Sequence, residues 1–260
     1  MAGTAVLGRL TWQVATVAAV RPESATARTL VLDVGNWPGH LAGQHVDVRL
    51  TAEDGYSAQR SYSIATGAEP AERPDNAGAE PDSTSIELTV DLLPDGEVSS
   101  YLTEIVEVGD QFEVRGPLGG WFVWRPADPG PVLLLGGGTG LVPLMSMLRT
   151  RAVAGTEQPF RLVYSTRSPA HELYAGDPAF DTVVVDRIYT RTAPDGFARA
   201  PGRIGADDLA VAGWTADAAP RVYVCGPNGF VEAATSLLLT LGHRPDAIRT
   251  ERFGATGVRA

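Results

Sequence analysis

The sequence predicts two domains: an antiparallel β-barrel followed by an α/β doubly wound parallel sheet. Three observations predict this. Residues 11–116 carry short alternating stretches separated by turn residues. Beyond residue 131 the apolar runs are unbroken and alternate with helical segments. Between the two regions lies "RPADPGP" (125–131), a stretch suited to a linker, which divides the chain into 1–126 and 131–260.

The barrel is read from "RTLVLDV" (28–34), "QHVDVRL" (44–50), "RSYSIAT" (60–66), "SIELTV" (85–90) and "QFEVRG" (111–116). Turn signals at Pro38–Gly39, Gly55, Pro94–Asp95–Gly96 and Gly109–Asp110 punctuate them. The Pro-, Gly-, Ala- and acid-rich stretch 67–84 reads as an exposed loop of the barrel. In the second half, "VLLLGGG" (132–138), "RLVYS" (161–165), "TVVVD" (182–186) and "RVYVCG" (221–226) are runs suited to strands buried on both faces. A helix over 230–241 places Phe230, Val231, Ala234, Leu237, Leu238 and Leu241 on one face, with Gly242 as its C-cap. Strands alternating with helices mean a parallel, doubly wound sheet.

Composition excludes several classes. All 21 basic residues are arginine, so Schiff-base chemistry and a P-loop lysine are excluded. Residues 1–159 hold 10 Arg against 20 acids and the remainder 11 against 11, so the net charge of −10 belongs to the first half. Nucleic acid and anionic membranes are poor partners for such a chain. No apolar run approaches the roughly 20 residues that span a bilayer. The start "MAGTAVLGRL" does not read as a secretion signal. Cys225 is the one cysteine, too few for an intramolecular disulfide, a four-cysteine zinc site or an iron–sulfur centre. His40, His45, His171 and His243 are scattered, which argues against a haem or metal site. A reducing, cytoplasmic setting is expected.

Two stretches carry chemistry. In "QRSYSIAT" (59–66), strand alternation sends Arg60, Tyr62 and Ile64 to one face and Ser61, Ser63 and Ala65 to the other. A cation and an aromatic plate beside small hydroxyls suit a flat, charged ligand. In "LLLGGGTGLVPLMSML" (133–148), a strand runs through glycines into a helix with Pro143 in its first turn. There backbone N–H groups and the helix dipole can approach a pyrophosphate. The spacing is neither G-x-G-x-x-G nor a P-loop, and taken alone it is equally a tight turn without a ligand.

The ordered set of motifs resembles the ferredoxin–NADP reductase superfamily. "RSYS" (60–63) is similar to its R-x-Y-[ST] flavin motif, and "DGEVSSYL" (95–102) to its second flavin segment. "GGTGLVP" (137–143) and "CGPNGF" (225–230) resemble its two nicotinamide-nucleotide segments, and "ERF" (251–253) its closing acidic–aromatic ending. The likeness runs from about residue 11 to 254. It implies an FAD site in the barrel and an NADP site in the α/β domain, with NAD as the other possible nucleotide. Arg60 would pair with the FAD pyrophosphate, Tyr62 would stack on the isoalloxazine, and Ser63 would bond the flavin N5 edge. Ile64 and Val90 would line the same site. Gly96, Val98 and Ser99, at the start of a short helix expected over 99–106, would meet the pyrophosphate. Gly137, Gly138, Thr139, Gly140, Cys225, Gly226 and Pro227 would hold the nicotinamide half. Cys225 and Glu251 join Ser63 as catalytic candidates, though Cys225 is equally a small buried apolar residue. Phe253 would cover a flavin face, although the sequence runs on to Ala260, unlike plant-type members.

Nucleotide choice depends on what meets the 2′-phosphate. Thr166 and Arg167 follow the second strand of the α/β half and Arg191 the third, while residues 164–168 hold no acid, which favours NADPH over NADH. The resemblance implies a reductase that passes electrons to a separate carrier such as a ferredoxin, a flavodoxin or an oxygenase component. A second possibility is reduction of free flavin, a quinone or another small acceptor, and a third, of another class, is a flavin-binding redox sensor without turnover. The acidic barrel disfavours an acidic ferredoxin unless arginines such as Arg28, Arg49 and Arg252 gather into a patch.

Overall fold

The computed structural model describes residues 10–68 and 85–253. Most of the loop expected over 67–84 therefore lies outside the described residues.

Six strands build the first sheet: β1 Gln13–Pro22, β2 Ala27–Asp33, β3 His45–Thr51, β4 Ser57–Ser63, β5 Ser85–Asp91 and β6 Gln111–Leu118. Their order is β4-β3-β6-β1-β2-β5, antiparallel throughout. The two edges, β4 and β5, meet at one bridge between Ile64 and Leu88, so the sheet curls into a nearly closed barrel with a seam there. Inside it pack Val17, Leu30, Leu32, Val46, Val48, Ile64, Leu88 and Phe112. Four of these strands stand where alternation puts them, and a fifth, β4, begins and ends three residues before the stretch read over 60–66. The sixth, β1, carries Thr and Ala between its valines and an irregular register between Val17 and Ala19, which blurs its period.

A short helix, α1 Glu97–Ser100, leads into one π-turn over Tyr101–Ile105. The helix expected over 99–106 thus starts earlier, at Glu97, with Gly96 as its N-cap and Ser99 inside the first turn.

The second sheet comprises β7 Val132–Gly137, β8 Phe160–Thr166, β9 Val184–Tyr189, β10 Arg221–Pro227 and β11 Ile248–Phe253, all parallel, in the order β11-β10-β7-β8-β9. Its helices are α2 Leu141–Ala154, α3 Ala206–Leu209 and α4 Asn228–Thr240. The "TVVVD" run is not a strand buried on both faces: 178–182 is a 3₁₀ turn, and β9 lies at the sheet edge with Val184 60% exposed. In α4, Val231, Ala234 and Leu238 are buried under the sheet, with Phe230, Leu237 and Leu241 beside them, as the helical period requires.

The apolar character of α2 has a tertiary cause. A helix that is hydrophobic nearly all round must be covered on all sides. Leu141, Leu144, Met145 and Leu148 join one cluster that reaches the sheet through Leu134 and Leu162 and the barrel through Ala42, Ala65, Phe122 and Trp124. The two sheets therefore share a core.

Hydrogen bonds fix their relative position. Arg149 donates to Ala65 O (3.0 Å), Glu87 (2.8 Å) and Asp177 (2.7 Å). Tyr174 Oη donates to Thr89 (2.6 Å), Ser146 to Thr66 O (2.6 Å) and Tyr223 to Val123 O (2.9 Å). Among the described residues, no helix is long and apolar enough to cross a membrane.

Candidate active site at the junction of the two sheets

On the barrel side, β4 pairs only with β3, in the register Val46↔Tyr62, Val48↔Arg60 and His45↔Ser63. Directly opposed residues share a face, so Arg60 and Tyr62 stand with Val48 and Val46 while Ser63 stands with His45. The expected split of faces is present. Arg60 is exposed and donates only to its neighbour's carbonyl, Gln59 O (2.6 Å), and no ion pair among the described residues engages it. Tyr62 packs against the barrel core, and burial pushes its phenol up to about 12 despite the nearby Arg60 cation. It is an apolar plate with a protonated hydroxyl, suited to stacking.

Ser63 is 6% exposed, and its Oγ has no hydrogen-bond partner among the described residues. A buried hydroxyl left unsatisfied costs about 1–3 kcal/mol unless a ligand completes it.

Ile64, Val90 and Val98 are core side chains, so only their backbone can face a ligand. For Val90 that backbone lies on β5, whose one ladder is with β2, which leaves its other edge at the seam. Gly96 admits no side chain, because a Cβ there would collide with Ser99 Oγ. The Ser99 hydroxyl donates to Gly96 O (3.0 Å) and accepts from Leu93 N (3.3 Å). It shapes this turn instead of pointing outward, so the turn's backbone is what remains for an anion.

On the other side, β7 ends at Gly137 and a 3₁₀ turn, Gly138–Gly140, feeds α2 with no side chain capping its amides. Gly138 sits at φ +54 with open space around it. Gly140 has the opposite surroundings: a Cβ there would overlap the Cys225 carbonyl and stand 2.6 Å from Gly226 N. Gly137 and Gly226 are both closed in by the Phe230 ring, 2.7 Å and 3.0 Å from where a Cβ would be. Thr139 is partly exposed in the turn, and Pro227 is exposed at the end of β10. Cys225 is fully buried in the shared core, and burial, with Glu251 nearby, raises its thiol well above the usual value. A protonated, enclosed thiol contributes shape, not a thiolate.

β11 runs beside β10 and places Glu251 against Cys225 and Phe253 against Pro227. Phe253 is partly buried on the shared core. Burial pushes the Glu251 carboxyl up to about 7, and its Oε2 lacks a partner among the described residues. His45 Nδ1 stands 3.7 Å from Glu251 Oε1, across the seam. The sequence names His45 only among four scattered histidines and gives it no place in the site. Its signal was its place two residues before Asp47 in an alternating strand, which shows only once β3 is set against β4.

At the outer end of the sheet, Arg167 and Arg191 are both exposed, and Arg191 N donates to Arg167 O (3.0 Å), which holds the two side by side. Thr166 is buried and its hydroxyl donates to His171 O (3.1 Å), so it braces the loop and is turned away from solvent. The suggested arginine patch lacks Arg49, which is engaged by Glu113 (2.7 Å) and stacked 4.1 Å over the Trp12 ring.

The donor set fits a flavin and a nicotinamide nucleotide. The barrel offers an aromatic plate and an arginine in no ion pair among the described residues on one face of β4 and a buried hydroxyl on the other, and the parallel sheet offers a glycine-lined strand–helix turn. The comparisons agree. Residues 22–123 match the family described as oxidoreductase FAD-binding domain, and residues 134–236 the oxidoreductase NAD-binding domain. The reductase component of the naphthalene 1,2-dioxygenase/salicylate 5-hydroxylase systems of a Ralstonia species is 32% identical over 252 residues, covering 94% of this chain and 69% of that protein. A flavohemoprotein of Bordetella pertussis is 31% identical, covering 95% of this chain and 62% of that protein. The chain thus spans about two thirds of the length of each. Among solved structures, the Amycolatopsis cytochrome P450 reductase GcoB superposes with a TM-score of 0.77 at 26% identity, covering 96% of this chain and 73% of that one. With an FAD-binding barrel, an NAD-binding sheet and a shared seam between them, the chain belongs to the ferredoxin reductase-like family of flavoprotein oxidoreductases.

Proposed function

We propose that the chain takes a hydride from NADPH onto bound FAD and passes the electrons to a separate protein, a ferredoxin, a flavodoxin or an oxygenase component. The observation that supports this reading is the Ser63 hydroxyl, buried without a hydrogen-bond partner among the described residues and on the same face of the β3–β4 ladder as His45. The named relatives include a reductase component of a dioxygenase system and a P450 reductase, which supports a protein acceptor. We take 1–126 as the FAD unit and 131–260 as the NAD(P) unit, and a reducing, cytoplasmic setting suits the lone buried Cys225.

The bound flavin supplies the chemistry of accepting a hydride and releasing electrons one at a time. Each residue of the chain has a narrower task. Arg60 offers a planar fork to the pyrophosphate, aided by the Gly96 turn. Tyr62 holds the ring by stacking, and Ser63 donates its O–H at the hydride-accepting edge. Gly137–Gly140 lets the nicotinamide come close to the backbone, with Cys225, Gly226 and Pro227 as the floor. Phe253 covers the ring face, and the shared core keeps water out.

The test is anaerobic reduction of cytochrome c by NADPH with the FAD-loaded protein. Alone the rate should be low, because the haem of a large acceptor cannot reach a flavin set between domains. Adding a small ferredoxin or flavodoxin should raise it in a salt-dependent way. If every carrier leaves the rate unchanged while free FMN or a quinone is turned over rapidly, the second reading replaces the first. No steady NADPH oxidation with any acceptor leaves the redox sensor.

Arg191→Ala should raise the KM for NADPH by roughly 10- to 100-fold, the size of one lost charge-assisted contact. NADH kinetics should hardly move, since NADH lacks the 2′-phosphate. Equal losses with both nucleotides would assign Arg191 to the pyrophosphate or to the fold.

A further inference from the structure

β3 brings His45 to the seam from the barrel, and β11 brings Glu251 to the same place from the parallel sheet. Nδ1 and Oε1 are 3.7 Å apart, with the side chains 25% and 22% exposed. Gly119, at φ +91, makes room for the ring: a Cβ there would stand 3.2 Å from His45 Nδ1. Ser63 lies directly across from His45 in the β3–β4 ladder and shares its face. Ser63 Oγ and Glu251 Oε2 are both buried without partners among the described residues. Among the described residues, His45 is the one basic side chain in ion-pair range of Glu251.

We propose that His45 is a positioning residue for the reaction at this seam: it fixes the Glu251 carboxyl at the end of the strand pair that carries Ser63, and the two side chains hold one proton in common. Burial opposes charge on each group taken alone, raising the Glu251 carboxyl to about 7 and lowering the imidazole. Together they escape that conflict. Either the neutral carboxyl donates its O–H to Nδ1, or an imidazolium N–H donates to the carboxylate, and a small closure from 3.7 Å makes either bond. The pair then titrates as a unit.

The other charged groups facing it are few. On β3, Asp47 draws His45 toward its protonated form, while itself held by Arg115 from β6 (2.6 Å) and Ser61 from β4 (2.7 Å). On β10 the Cys225 thiol stays protonated. On β11, Arg252 turns to Thr250 Oγ1 (3.3 Å). The role in a reaction rests on reading the seam as the flavin site, whereas the shared proton does not.

The experiment is an NMR pH titration of the histidine ring protons in the purified protein, with His45 assigned by His45→Gln. In wild type, the His45 midpoint should lie about one pH unit or more above that in Glu251→Gln, as a proton shared within a coupled pair requires. An unchanged midpoint in folded Glu251→Gln overturns the pairing. In FAD-loaded protein, the rate of flavin reduction by NADPH should lose the same limb of its pH profile, near neutrality, in His45→Gln as in Glu251→Gln. A wild-type profile in folded, FAD-loaded His45→Gln overturns the positioning role. Failure of wild type to take up FAD would instead strike at the flavin reading, and the titration result would stand apart from it.

Discussion

Ser63→Ala is expected to slow the reduction of bound FAD by NADPH about 10²- to 10³-fold, the cost of one preorganised donor at a reacting edge. Thermal stability without flavin should be unchanged or slightly higher. The physical reason is that the Ser63 hydroxyl has no partner among the described residues, so its removal breaks no bond seen there and relieves a buried, unsatisfied group. Function and stability are therefore set against each other at this position. Stopped-flow measurement of flavin absorbance, with a thermal melt of the flavin-free protein, checks both halves. A wild-type rate would remove Ser63 from the reaction; a large loss of stability would make it a structural residue.

Gly140→Ala is expected to lower kcat/KM for NADPH about 10²-fold, which is what a displacement of roughly 1 Å at a reacting centre costs. The backbone at Gly140 is ordinary, φ −60 and ψ −12, so alanine suits it conformationally. The damage is steric: the new Cβ would press on the Cys225 carbonyl and on Gly226 N, and the end of β10 would have to shift away from β7. FAD content should stay at wild-type level, because the barrel side of the seam is untouched. Gly138→Ala is the contrasting control. It sits at φ +54 in open space, so its penalty is conformational strain on the order of 1 kcal/mol with little effect on the neighbouring strand. Equal kinetic losses in the two variants would show that the turn's flexibility, and not the close approach at Gly140, is what the nucleotide requires.

Much of the site was legible in the chain because short-range patterns encode it. Period-2 alternation set Arg60 and Tyr62 on one face and Ser63 on the other, and the β3–β4 register bears this out. The glycine run after an apolar strand marked the β7–α2 turn, since only glycine admits the approach seen at Gly140. Where the local pattern was weak, the reading fell short. β11 carries Arg, Thr and Glu and looks like a surface segment, but its partner β10 gives it a place in the sheet. Thr166 and Ser99 have the right residue type at the right spacing, yet loop and turn carbonyls engage their hydroxyls.

The sequence by itself determined the two sheets, their order, the glycine turn, the Arg60–Tyr62–Ser63 strand and the absence of thiolates for a cluster, because backbone period, turn chemistry and composition are properties of neighbours in the chain. Tertiary structure alone decided that α2 joins both cores, that Ser63 Oγ is left without a partner, and that His45 and Glu251, 206 positions apart in the sequence, face each other at 3.7 Å. Burial and proton affinity depend on what the rest of the chain brings near a side chain, and no local pattern records that.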